Sequence, residues 1–260
     1  MTDFQDPFAG NRAAGSPAGA PDAPPPLSLG DRIVKVFVAP TVAMREIAVR
    51  PAWLVPLGLV WLLVWLYTAA NLHIILPEQT ERQIAHAPDA QVEMLYQQLD
   101  MFSDPPAWLR VLMGLGSGLS AAVFAILLPG LILHLFLRLS EGIGTARQTL
   151  GVVCWAGLIA YGLRTLLSWI IVAVTGSGVH AGLTVASLMP AGNPASLGHV
   201  IANLYGDPFV YWMLWVILLG VMQVHRLAFD RAVTVVVATY VLLSAVPIGF
   251  TLLGQVIGAR

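Results

Sequence analysis

The stretch "PTVAMREIAVRPAWLVPLGLVWLLVWLYTAANLHIIL", Pro40 to Leu76, changes character at Pro51. Before that proline it carries Arg45, Glu46 and Arg50; after it, Ala52 to Leu76 is a run of 25 residues without a charge. As a helix rising ~1.5 Å per residue the run is about 37 Å long, more than the ~30 Å hydrocarbon core of a bilayer. It reads as a membrane span with some tilt or overhang. Trp53 at the seam suits the aromatic belt at a membrane surface.

The whole chain has this character. Only 10% of its 260 residues are charged, against roughly 25% in soluble domains, and the mean hydropathy is +0.77. That is too little charge to cover a soluble surface, so apolar side chains must face lipid. The net charge of −1 gives no field that would attract nucleic acid, and the single cysteine, Cys154, excludes an intrachain disulfide.

Further uncharged runs follow the first. The expected spans are about 52–76, 108–137, 149–175, 208–225 and 232–257, the third interrupted by Arg164. Each must be helical, because in lipid only a helix satisfies its own backbone groups. The predicted fold class is an all-α integral membrane protein with five transmembrane helices, in one membrane domain over 52–258. Pro56 lies in the first turns of its span and costs little; Pro129 and Pro247 lie deeper and are predicted to kink their helices. Gly114 with Gly118, and Gly254 with Gly258, have the small-xxx-small spacing that lets helices approach closely.

Basic residues orient the spans. Arg45 and Arg50 precede the first, Arg138 and Arg147 flank the loop between the second and third, and Arg226 and Arg231 flank that between the fourth and fifth. With Arg12, Arg32 and Lys35 they put nine basic residues on one side, against Arg82, Arg110 and Arg260 on the other. The positive-inside rule then predicts a cytoplasmic N-terminus and an outside C-terminus. The first apolar run starts too late and is too long for a signal-peptide core, so it is expected to remain as an anchor.

The segments between spans divide by composition. Residues 1–27, rich in Gly, Ala and Pro, are predicted to be a disordered cytoplasmic tail. Residues 28–51 are predicted to form short amphipathic helices lying at the cytoplasmic interface, with basic residues toward headgroups. The acidic stretch from Pro77 to Pro106 reads as an outside loop bearing one amphipathic helix, with Val92, Leu95, Leu99 and Phe102 as its apolar stripe. Leu197, Val200, Ile201 and Leu204 indicate a short helix before the fourth span.

Chemistry is sparse. Arg164 sits near the middle of its run, where an arginine costs about 2.5–3.5 kcal/mol on insertion scales, and no Asp or Glu inside a span is seen to pair with it. It is therefore expected to bond carbonyls, to snorkel to a lipid phosphate or to line a wet cavity, and it is the candidate lipid or ligand contact. The six histidines, His134 and His225 among them, show no tight ligand spacing and read as interface residues; no metal and no cofactor are expected. "GLGSGLSAA" (Gly114–Ala122) hints at an intramembrane serine protease, but Leu115 stands where such a motif needs its first glycine. No catalytic residue is assigned, and the expectation is a protein that is not an enzyme.

Three segments, "VFVAPTVAMREIAVRPAWLVPLGL", "ILLPGLILHLFLRL" and "GDPFVYWMLWVILLGVMQV", resemble the lead-in, second span and fourth span of the Yip-one (Ypt-interacting protein) family, bacterial branch. In the last of these Asp207, Phe209, Trp212 and Gly220 carry the likeness. The resemblance runs from Ile33 to Gly258 and departs at "YGLRTLLSW", since many members have an uncharged third span. It implies membrane organisation rather than catalysis: a scaffold or adaptor in a bacterial cytoplasmic (inner) membrane. The partners implied are the lipid bilayer, other membrane proteins or a second copy of the chain. Eukaryotic relatives bind Rab-type GTPases, and no such partner is expected for a chain of bacterial style. The alternative is a small-molecule or lipid permease working around Arg164.

The charge asymmetry makes a prediction. Reversing Arg45 and Arg50 to Glu removes two of the nine orienting charges and should lower the N-in fraction measured by cysteine-accessibility labelling; an unchanged topology would remove that role.

Overall fold

The computed structural model describes residues 26–87, 89–178, 181–189 and 196–258, and only the backbone at 89–90 and 255–258. The expected tail therefore lies almost wholly outside the described residues, as do Arg12 and Arg260. Among the described residues there are helices and no strands. Two short helices, α1 (Leu29–Val38) and α2 (Pro40–Val49), lead into α3 (Leu54–Ile84). Then come α4 (Asp89–Ser103), α5 (Ala107–Leu139), α6 (Ala146–Thr175), α7 (Leu197–Tyr205), α8 (Pro208–His225) and α9 (Phe229–Gly258). Five of these, α3, α5, α6, α8 and α9, are long and apolar enough to cross a membrane.

The bundle has an inside and an outside. On α6, the run from Gly151 to Ala160 is buried without a break, Trp155 included, and α8 contributes Val216, Ile217, Leu218, Val221 and Val224. Helices α3, α5 and α9 wrap this pair and keep lipid-type faces outward, with Leu66, Phe124, Leu135, Val241 and Phe250 exposed. Close approach is made by glycine. A Cβ on Gly118 would lie 2.7 Å from the Trp61 carbonyl oxygen, and one on Gly114 would lie 2.8 Å from that of Trp65. The α5 backbone thus rests on the α3 backbone, beside the stacked rings of Trp61 and Trp65. Gly220 of α8 likewise faces Val152 and Met44. Gly254 has nothing within 4 Å, so its expected packing role is not met inside one chain, and the surroundings of Gly258 are not described.

Two spans change winding midway. Ala121–Leu127 within α5 and Leu158–Leu163 within α6 are π-helical, and the Leu128 N–H reaches back five residues to the Val123 carbonyl. Proline explains the first: Pro129 has no N–H to give the Ala125 carbonyl, so the ladder before it slips by one residue. Pro247 sits inside an uninterrupted α9. Helix α3 also differs from expectation, because it does not stop at Leu76 but runs through Pro77 to Ile84. The amphipathic helix of the following loop is α4; its stripe turns inward against α3, with Leu95 buried and Val92, Leu99 and Phe102 half-buried.

The lead-in is the main departure from a free interfacial hairpin. Ser28 caps α1, and its hydroxyl donates to exposed Asp31, holding that carboxyl below the usual range. Helix α2 packs against α6 and α8 with Ala43, Met44 and Ile47 fully buried. Glu46, one of the three charges noted before Pro51, is 1% exposed. Arg32 of α1 donates to its Oε1 at 2.5 Å, and Arg50 lies 3.6 Å from the same oxygen. The Arg32 guanidinium sits 6.0 Å from the Trp155 ring. Arg45 and the valines at 34, 38, 42 and 49 face outward.

The Gly118 contact is testable. Gly118→Val drives a branched side chain into backbone and should cost about 1–3 kcal/mol or more, seen as a lower thermal midpoint in detergent. Gly254→Val meets open space and should leave the midpoint of the monomer unchanged.

Candidate functional site

Helix α8 is held at both ends, and the two attachments define the site. Near its C-terminus the Thr149 hydroxyl of α6 lies 2.8 Å from His225 Nε2 and 3.0 Å from His134 Nδ1. At its N-terminus Asp207 caps the helix: Oδ1 accepts from the Phe209 and Val210 N–H groups, and Oδ2 accepts from Arg164 Nη1 at 2.5 Å. The eighteen residues of α8 rise about 27 Å between these levels.

That geometry corrects the reading of Arg164. The arginine is near the middle of its own span, yet level with the beginning of its neighbour. An acid does pair with it, and that acid is buried, with the Asp207 side chain 2% exposed. The sequence signal was present in "GDP": Asp at N-cap followed by Pro at N1 starts a helix and aims a carboxylate at the positive end of the helix dipole. The local cause on the arginine side is the π segment. Arg164 closes it, its N–H bonding the Ile159 carbonyl. One extra residue in the turn rotates everything beyond by roughly 100°. Tyr161 lies beside the cation, its ring centroid 5.9 Å from the guanidinium carbon.

Two cavities meet at this pair. One, of about 660 Å³, is the more polar of the two and lies between α3, the second half of α6, residues 178 and 181–187, and α7. Tyr67, Glu78, Arg82, Arg164, Ser168 and Asn203 line it. Its walls are pinned: Glu78 Oε2 accepts the Gly178 N–H at 2.7 Å, the Ser168 hydroxyl donates to the Ala181 carbonyl, and Thr184 donates to Asn203 Oδ1 at 2.7 Å. The other, of about 550 Å³, is an apolar cleft between α5, α8 and α9. Phe124, Ile126, Pro129, Leu243 and Val246 line it, and Arg164 and Asp207 stand at its polar end. Both expected kink prolines, Pro129 and Pro247, border this cleft. Arg164, Asn203 and Leu204 are common to the two cavities.

The other sequence-derived candidates fall elsewhere. Arg138, Arg147, Arg226 and Arg231 gather at the opposite end of the bundle, around the His225 level, with α2 and its Arg45 and Arg50. Arg138 donates to the Gly142 carbonyl at 3.1 Å, Arg231 pairs with exposed Glu141 at 3.2 Å, and Arg147 and Arg226 are exposed. Among the described residues, the arginines counted as facing one side do share one end. His225, read from sequence as an interface residue, stands at this arginine-rich end and is 1% exposed. Among the described residues no three His, Cys, Asp or Glu side chains are grouped to hold a metal ion.

The ion pair sets a stability expectation. Arg164→Leu strands a buried carboxylate and should destabilise by about 3 kcal/mol, measured as a drop in thermal midpoint. Arg164→Leu with Asp207→Asn keeps the cap, removes the stranded charge and should recover most of the loss. Equal losses in both proteins would show that the pair is not the cause.

Comparison with known proteins follows the same outline. No curated protein and no solved structure matches the chain. The family model for the Yip1 domain matches residues 34–251, from the outward valines of α1 through all five long helices. A match over that length, on a five-span bundle with a packed lead-in, identifies the chain as a multi-pass membrane protein belonging to the Yip1-domain family.

Proposed function

We propose that this protein is a non-enzymatic membrane-organising scaffold or adaptor, residing in a bacterial cytoplasmic membrane with its N-terminus inside. The observation that carries the reading is the docked lead-in. Helices α1 and α2 are fixed to the bundle by the Arg32–Glu46 pair and by Val36, Met44 and Ile47. They present a rigid outer face on which Val34, Val38, Val42 and Val49 alternate with Lys35 and Arg45. A preformed face loses little entropy on binding, which suits an adaptor.

A second reading, handling of a lipid or small molecule at Arg164, is favoured by one specific observation. The guanidinium borders both a polar cavity and an apolar cleft, the mixed lining that ligand sites share.

Photocrosslinking tests the first reading. A photoreactive residue at position 38 or 42, activated in native membranes, should give one discrete protein adduct that disappears in Val34→Glu. Lipid adducts alone would overturn the scaffold reading.

A further inference from the structure

The two cavities differ in the manner of the two halves of an amphiphile, and they share a wall. We infer that the site around Arg164 binds a single zwitterionic aminophospholipid, with its phosphate and ammonium in the polar cavity and one acyl chain in the cleft. The inference rests on the ligand-site reading above and names the ligand.

Charge decides the head. Asp207 is already engaged on both oxygens, by two backbone N–H groups and by Arg164, so it neutralises that arginine without offering a free acceptor. What remains in the polar cavity is Arg82 and Glu78, one charge of each sign. Donor groups of Arg82 and Arg164 suit phosphate oxygens, and a carboxylate suits a primary ammonium. A head with both groups satisfies this lining. A head with only negative charge would bring its surplus charge against Glu78.

Shape decides the tail. The cleft is lined by Phe124, Ile126, Pro129, Leu243 and Val246, with polar groups confined to the Arg164 end. Phe124 is 66% exposed and Val246 is 55% exposed, so the cleft opens sideways, between α5 and α9, where lipid chains lie. The π segment of α5 forms one wall, through Phe124, Ala125 and Ile126, and that of α6 supplies Tyr161. Segments of this winding recur at functional sites because they displace side chains from the regular helical row.

Native mass spectrometry of the detergent-purified protein tests this. Phosphoethanolamine and phosphoglycerol lipids with identical chains are offered in equal amounts. One phosphoethanolamine lipid should be retained per protein, in about tenfold preference, the ratio expected for one charge-assisted hydrogen bond. Glu78→Gln should abolish the preference, Arg82→Gln should weaken retention of both lipids, and Leu243→Trp should fill the cleft and prevent retention. Gly254→Ala, in open space, should change nothing. A thermal melt run beside each variant verifies that it is folded. Equal or reversed preference would overturn the assignment of the head while leaving a ligand site at Arg164. Retention that survives both Arg82→Gln and Leu243→Trp would mean ordinary annular lipid and overturn the inference. No retained lipid at all would overturn both the inference and the ligand-site reading.

Discussion

A helix surrounded by lipid gains almost nothing by burying its apolar face against another helix, because acyl chains are as apolar as leucine. The bundle must therefore be held by what lipid cannot supply: backbone brought against backbone, and polar groups brought against each other. Both are present. Gly114 and Gly118 let α5 lie on α3, and Gly220 lets α8 lie on α6. The Arg164–Asp207 pair and the Thr149–His225 contact fasten α8 to α6 at two levels. The inner pair, α6 and α8, is thus the most strongly specified part of the structure, and the outer spans are shaped around it.

The same constraint explains the lead-in. Nothing confines two ten-residue helices with polar faces to a bundle end unless polar partners hold them there. Gln148, half of the capping box that starts α6, donates to the Ala48 carbonyl at 2.7 Å; Trp155 Nε1 donates to the Ala52 carbonyl at 2.9 Å. Glu46 is shielded by two arginines from within the lead-in itself. The hairpin's one buried carboxylate thus arrives with its counter-charges, and docking adds apolar burial together with side-chain hydrogen bonds to backbone carbonyls.

Span count, approximate boundaries, the α4 and α7 helices and the family likeness were legible in the sequence because each depends on local hydropathy and period. The clustering of arginines at one end was legible for the same reason. What escaped were relations between distant residues. Asp207 lies 43 positions from Arg164, and counting along each span separately put one in the middle and the other outside. The levels of two helices become comparable only once they pack. Glu46 was hidden likewise, since a mixed face on a short helix reads as solvated until a bundle covers it. Pro77 misled in the opposite direction, because a helix supported by neighbours carries a proline that would end an isolated one.

The docked lead-in also bears on the order of events during synthesis. Residues 29–49 leave the ribosome before the surface that receives them, which is built from α6 and α8 and is complete only at His225. At ~5–20 residues per second that surface appears about ten seconds or more after the hairpin does. Throughout this interval Val36, Met44 and Ile47 have no site to occupy, and the hairpin must wait at the membrane surface or on a chaperone. Seating of the hairpin thereby follows completion of the fourth span, and its outward valines become a fixed platform only on a molecule in which that span is already in place.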